Sequence, residues 1–330
     1  MRSSATIQDV ARAAGVSAAT VSRVLNGYDV SPERAAAVHR AVQELDYQPN
    51  GAARALRRQV ADVWSAIVAD VENPFFTSVV RGLEDAARQH GYRVILCNSD
   101  EELSREREYF DVAIAERVGG VVVAVASTKQ SRLDALLDNN IPVVAIDRRP
   151  EGHAVDCVLV DNRAGALQAT THLLDSGARN VACITGPSRL STANERLAGA
   201  KEAVRRAGLD LQVVRRDFRV GGGHDATMEL FKSSSPPDAL FVANNLMTVG
   251  AMTALREMGR RVPHDVLVVG FDDAPWTELT EPALTVVAQP TYEIGTTAAE
   301  LLVERRADRD APARDVVLAP RLIVRQSSVR

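Results

Sequence analysis

From Val63 onward the chain alternates short apolar runs with segments of helical periodicity. The runs are VWSAIVADV (63–71), YRVILCNS (92–99), GGVVVAVA (119–126), IPVVAID (141–147), VDCVLVD (155–161), NVACITG (180–186), LQVVRRD (211–217), DALFVAN (238–244), DVLVVGFD (265–272) and LTVVAQP (284–290). Runs that are apolar throughout mark strands buried on both faces, and helices between them mark βα units and a parallel sheet. A break near Asp161 to Arg163 separates two similar sets. This predicts two doubly wound subdomains with a ligand crevice at the carboxyl ends of their strands.

The first 48 residues follow a different period. Thr6 with Asp9 has the spacing of a capping box, and Ile7, Val10, Ala11 and Ala14 share one helical face. Gly15 ends that helix; Ser17 caps a second, striped by Val21, Val24 and Leu25 and stopped by Asn26 and Gly27. Ser31 and Pro32 open a third, in which Ala35, Val38, Val42 and Leu45 are spaced to pack on the first two. Two short helices around AGVS make a helix-turn-helix, or a plain three-helix packing unit. In the first reading the second helix enters a major groove with Ala18, Ala19, Thr20, Ser22 and Arg23 facing DNA. Arg23 then suits a guanine edge, and the two alanines suit thymine methyls.

The stretch YQPNGAARALRRQ (47–59) has helical residues in too short a run to hold a helix in water, because nucleation is not repaid in so few turns. With a partner, Asn50 would cap it, Arg54, Arg57 and Arg58 would reach phosphates, and Leu56 would suit a wedge in a minor groove. Without one it is a linker.

Charge supports a polyanionic partner for the head. Residues 1–60 hold eight Arg and five acidic residues, net +3, while the remainder holds 31 basic and 38 acidic residues, net -7. Cys97, Cys157 and Cys183 are widely spaced and form no CxxC pair, which argues against a disulfide framework and a metal site and for a reducing cytoplasm. The N-terminus has no apolar leader and no stretch of 18 uncharged apolar residues occurs, so neither export nor membrane insertion is expected.

Candidate chemistry stands just after the apolar runs. Asn73, Phe75 and Phe76 follow the first; Asp147 and Arg148 follow the fourth; Asn244, Asp272 and Gln289 end later ones; Arg196 and Phe218 lie in adjoining segments. Singly, an Asp or Asn there caps a helix, a Phe is core and an Arg is solvated. Together the set suits a polyol, with fixed donors and acceptors for hydroxyls and aromatic faces for the C–H side of a ring. Two Asp against two Arg point to a neutral ligand. Trp276 fits a rim platform or a hinge plug equally. The GGGH run (221–224) does not follow a strand, so it is no nucleotide fingerprint, and it reads as a loop leading into a helix. No acid–base or nucleophile constellation stands out, so neither an enzyme nor a cofactor is expected.

The stretch TIQDVARAAGVSAATVSRVLNG, with SPERAAAVHRAVQELDYQPNGAARAL after it, closely resembles the head and hinge of the LacI/GalR family of transcription repressors. The body, about 62–330, resembles the periplasmic-binding-protein-like domain of that family, and most of all ribose-binding proteins and ribose repressors. The motifs NPFF (73–76), DRR (147–149), NER (194–196), DF (217–218), AN (243–244), GFDD (270–273) and AQP (288–290) carry that likeness. It implies ligand contacts at the ten positions named above, DNA contacts that add Thr6, Ser17, Asn26, Asn50, Arg54, Leu56 and Arg57 to the second helix, and a minor-groove wedge at Leu56. Asn245 departs from the family's usual Asp; since Asn caps a helix nearly as well, little consequence is expected.

The expected organisation is an all-α helix-turn-helix head (1–48), a hinge helix and linker (49–61), and an α/β effector core (62–330) of two doubly wound parallel-sheet subdomains. The first subdomain is expected at about 62–162 and 292–322, the second at about 163–291 and 323–330. The implied protein is a cytoplasmic homodimer on near-palindromic operator DNA, controlled by a small neutral sugar, a pentose such as ribose, acting as inducer. A hexose or a purine corepressor is the alternative. With no heptad segment after RLIVRQSSVR, a dimer rather than a coiled-coil tetramer is expected.

Overall fold

The computed structural model describes residues 5–25, 28–47 and 61–329. The chain divides into two compact units, residues 1–61 and 62–330. In the first, α1 (Ile7–Ala13) starts at the capping box: Thr6 Oγ1 accepts the Asp9 N–H at 3.3 Å and the Asp9 carboxylate accepts the Thr6 N–H at 3.0 Å. Gly15, at φ +64°, turns the chain into α2 (Ala18–Leu25), which Ser17 caps by accepting the Thr20 N–H at 3.1 Å. Pro32 opens α3 (Pro32–Glu44). Val10, Ala11, Val21, Val24, Val38 and Ala41 form the buried core of these helices. Leu45 does not join it. The last helical residue is Glu44, so Leu45 becomes the exposed C-cap and Ala41 makes the contact instead.

In the second unit each of the ten apolar runs contains a strand. The elements are β1 (Val63–Val68), α4 (Pro74–Gln89), β2 (Arg93–Asn98), α5 (Leu103–Ala115), β3 (Gly120–Val123), α6 (Asp134–Asp138), β4 (Val143–Ile146) and β5 (Asp156–Val160). They continue with α7 (Asn162–Asp175), β6 (Val181–Thr185), α8 (Ser191–Arg206), β7 (Leu211–Arg215), α9 (Val220–Lys232), β8 (Ala239–Val242), α10 (Asn245–Glu257), β9 (Leu267–Phe271), β10 (Thr285–Ala288), α11 (Thr291–Ala307), β11 (Asp315–Leu318) and β12 (Arg321–Ile323). The first sheet runs β11-β5-β4-β3-β1-β2 and the second β12-β10-β9-β8-β6-β7. The orders match place for place, so β4 of the first lobe is the counterpart of β9 of the second. Valine, isoleucine and alanine on both faces bury each sheet between two apolar layers.

Four expectations change. The strands β11 and β12 come from DVVLAPRLIV, which was not read as strand; they are short, half-exposed and broken by Ala319-Pro320. Because β12 pairs antiparallel with β10 while β11 pairs parallel with β5, the last lobe crossing falls at 319–320, ahead of the expected 322/323 boundary. Strand β2 is an edge, not a buried strand: Ile95 is 53% and Leu96 42% exposed. Finally, Gly221–Gly223 lie inside α9 rather than in a loop. A Cβ at Gly223 would come within 2.1 Å of Met247 O, and one at Gly250 within 1.9 Å of Val220 O, so these glycines let α9 and α10 cross backbone to backbone.

Candidate functional site

A cleft opens where the carboxyl ends of both sheets meet. Its walls are Asp70, Asn73, Phe75, Phe76, Glu101, Asp147 and Arg148 from the first lobe, and Thr192, Arg196, Asp217, Phe218, Arg219, Asn244, Asp272 and Gln289 from the second. All ten positions nominated from sequence stand on these walls. Five others were missed. Asp70, Asp217 and Arg219 lie within or beside quoted runs, Glu101 follows β2 and Thr192 stands in the first turn of α8, but their side chains reach one cleft only through the way loops and helix start are placed, which no local pattern encodes.

Each wall residue is held by local chemistry. Asn73 caps α4, its Oδ1 accepting the Phe75 N–H at 2.9 Å, and Pro74 suits the first helical position. The helix therefore starts with Phe75 and Phe76 side by side, their rings edge to face at 4.9 Å. Asn244 caps α10 the same way, accepting the Met247 N–H at 3.0 Å. Thus the capping role and a place on the cleft wall coexist, because the cap uses only the amide oxygen. Gly186 makes room for Phe218: a Cβ there would lie 2.3 Å from the ring.

Asp147 and Asp272 both take the left-handed conformation, φ +64° and +75°, directly after β4 and β9. Aspartate tolerates that region better than most residues, yet at about 1–3 kcal/mol each such bends persist only where the surroundings hold them. The Asp147 N–H bonds Val158 O and the Asp272 N–H bonds Val287 O, which hold them. Burial pushes both carboxyls above the ordinary range, against the pull of Arg148 and Arg196 on Asp147 and of Arg196 on Asp272. The guanidiniums are themselves fixed. Arg148 donates to Val125 O at 3.2 Å and to Glu101 at 2.7 Å; Arg196 donates to Asn162 Oδ1 and Ala243 O, both at 2.7 Å, and lies 3.8 Å over the Phe271 ring.

The lobes also bond to each other around the cleft. Arg219 donates to Asp70 at 2.6 Å and to Asp100, and Arg189 reaches Glu101 at 3.1 Å. Asn245 donates through Nδ2 to Asn73 Oδ1 at 2.9 Å. That contact corrects the expectation for position 245: Asn244 is the cap, and an ionised Asp at 245 has no proton to make this bond. Trp276 takes neither expected place. It is half-buried on the second lobe's core and lines a separate cavity with Met252, Arg256 and Pro282. The wall charge differs from the expected balance too, with five carboxylates against three guanidiniums.

On the head, Ser17, Ala19 and Arg23 are exposed and Thr20 and Ser22 half-exposed. Ala18 is half-buried against the three-helix core, so it presents less surface than the helix period suggests. Thr6 and Ser17 use their hydroxyls in helix caps, and Arg23 donates to Asp29 O at 3.2 Å. Asn26, Asn50, Arg54, Leu56 and Arg57, and the hinge helix expected at 49–61 apart from Ala61, lie outside the described residues. Among the described residues no group of three or more His, Cys, Asp or Glu is placed to hold a metal, and no helix is long and apolar enough to cross a membrane.

Comparison with known proteins matches residues 6–50 to "Bacterial regulatory proteins, lacI family" and residues 170–328 to "Periplasmic binding protein-like domain". A ribose operon repressor of Halalkalibacterium halodurans is 37% identical over 325 residues, covering 98% of this chain and 97% of its own. A transcriptional repressor PurR of Photobacterium profundum is 33% identical over 328 residues, covering 98% of each. Among solved structures, the lac repressor dimer bound to operator and the anti-inducer ONPF superimposes with a TM-score of 0.89 at 25% identity, over 99% of this chain and 100% of that one.

Proposed function

The chain belongs to the LacI family of DNA-binding transcriptional repressors, and on that premise we propose that a small neutral sugar, best a pentose such as ribose, binds the cleft as inducer. The observation that carries this reading is the wall itself: two buried carboxylates on facing lobes, two fixed guanidiniums, two capping amides and three phenylalanine rings around one space. Carboxylates and guanidiniums bracket vicinal hydroxyls, and the rings cover C–H faces. The acidic excess on the wall disfavours a phosphate or carboxylate ligand, since an added anion would face five acids with three cations. The relative at 37% identity, a ribose operon repressor, supports the pentose.

The head would read one half of a near-palindromic operator through Ser17, Ala19, Thr20, Ser22 and Arg23, with Ala18 at the margin, Thr6 and Asn26 beside them, and the cap Asn50, the cations Arg54 and Arg57 and the wedge Leu56 acting in the hinge. A two-fold dimer demands two-fold half-sites. The exposed apolar surface of Ile95 and Leu96 on β2 and of Val112 on α5 supports pairing through the first lobe. A protein that works on operator DNA belongs, in this reading, to the cytoplasm. Sugar that binds the closed cleft best shifts the lobes toward closure; if closure disfavours the DNA-bound arrangement, operator affinity falls, and DNA weakens sugar binding equally. A coupling of about 1–3 kcal/mol gives a 5- to 150-fold change.

A thermal-shift and calorimetric panel of pentoses, hexoses, purines and sugar phosphates tests the ligand. A rise in melting temperature with ribose is the expected result. A response only to a purine, in line with the PurR relative, or only to a sugar phosphate overturns the pentose reading and leaves the family intact. Leu56→Ala tests the hinge: operator affinity should fall with sugar affinity unchanged, and equal operator binding by variant and parent removes the wedge.

A further inference from the structure

Asn245 is the first residue of α10, and its side chain is almost wholly buried, at 1% exposure. Its Nδ2 donates to Asn73 Oδ1, across 172 residues of chain and from one lobe to the other. The same oxygen accepts the Phe75 N–H and so holds the first turn of α4, which brings Phe75 and Phe76 to the cleft. On its other side the Asn245 backbone N–H faces the Asp272 carboxylate and favours its charged form. One residue thus bonds the aromatic arm of the first lobe and stands beside the carboxylate of the second.

We propose that Asn245 is a positioning residue for effector binding, a neutral amide that locks the aromatic arm of the first lobe onto the carboxylate side of the second. This rests on the reading of the cleft as the effector site. The chemistry requires an amide. An aspartate of the same shape has no proton to donate, and its oxygens would face Asn73 Oδ1, acceptor against acceptor. Asn73 could answer only by turning its own amide round, which takes its oxygen away from Phe75 and undoes the cap of α4. A carboxylate at 245 would also add charge beside Asp272, where burial already disfavours an anion.

The test compares the full-length parent with Asn245→Asp and Asn245→Ala. In ligand-free protein, amide hydrogen exchange over residues 73–77 should quicken about five- to tenfold in both variants, the scale of one buried hydrogen bond, with the rest of the core unchanged. Calorimetry with D-ribose should show Asn245→Asp weakened about tenfold or more near pH 7.5 and largely restored near pH 5, where a protonated carboxyl regains a donor. Asn245→Ala should be weakened at both. The charged groups about the cleft, Asp70, Glu101, Asp147, Asp217 and Asp272 with Arg148, Arg196 and Arg219, are common to all three proteins, so the ratio to parent isolates position 245. Parent-like exchange over 73–77, or an Asn245→Asp deficit equal at both pH values, overturns the proposal. If ribose binds none of the three, the pentose reading fails by itself and the exchange result alone decides the role of Asn245.

Discussion

Asp147 and Asp272 occupy equivalent places in two lobes of equal topology, each bent into the left-handed region at the end of the strand third from one edge of its sheet. Their surroundings differ. Asp147 has its chain neighbour Arg148 at ion-pair distance, 3.1 Å. Asp272 has no adjacent cation in sequence; it accepts from the Gln289 side chain, has the Asn245 backbone N–H beside it and feels the pull of Arg196 from α8. The outer strands differ as well. Ile95 on β2 pairs with the third residue of β1 and Val213 on β7 with the third residue of β6, yet the first is 53% exposed and the second 37%, and β2 alone of the two carries a second exposed apolar residue, Leu96. A duplicated fold therefore sets where side chains stand, and sequence differences divide the tasks between the copies.

Changing the two edges alike is the strongest way to break this comparison. Ile95→Asp should weaken dimerisation by about 100-fold or more, because pairing would bury an unpaired charge, whereas Val213→Asp should leave dimerisation at parent level in sedimentation. Equal behaviour of the two variants places the interface elsewhere.

The carboxylates come next. Asp272→Asn should weaken ribose about 100-fold and Asp147→Asn about tenfold, since Arg148 and Glu101 keep part of the first lobe's network in place; calorimetry ranks them. Both substitutions should also stabilise the ligand-free protein by about 2–4 °C near neutral pH, because burial opposes each charge. The sign follows from linkage. An acid whose folded pKa is raised binds its proton more tightly folded than unfolded, so its contribution to stability declines as pH climbs from the ordinary value of 3.8 through the raised one. The advantage of each Asn variant over parent should accordingly shrink as pH falls toward about 4 in a denaturant titration. An advantage that grows on acidification contradicts the raised direction.

The smallest effect belongs to the rim. Arg219→Ala removes two ion pairs between the lobes, partly exposed, and should weaken ribose about threefold at low salt with little change at high salt. A loss that is insensitive to salt would make Arg219 a direct ligand contact instead of a clasp.

Much of this was written in local pattern. Apolar runs of strand length, helical stripes between them and the capping box at Thr6 and Asp9 are relations within a few residues, and a few residues suffice to state them. The ten nominated wall positions were legible because parallel strands deliver their carboxyl ends to one crevice, so residues that end runs converge whatever their distance in sequence. Tertiary structure alone decided the rest. The bonds of Arg219 to Asp70 and of Asn245 to Asn73 join residues 149 and 172 apart, and each depends on how the lobes meet. The exposure of β2, the antiparallel return of β12 and the removal of Trp276 from the cleft follow from sheet order and lobe crossing, which periodicity does not encode. A side chain's type and its phase along an element are properties of the chain, but the partner it meets is a property of the packing.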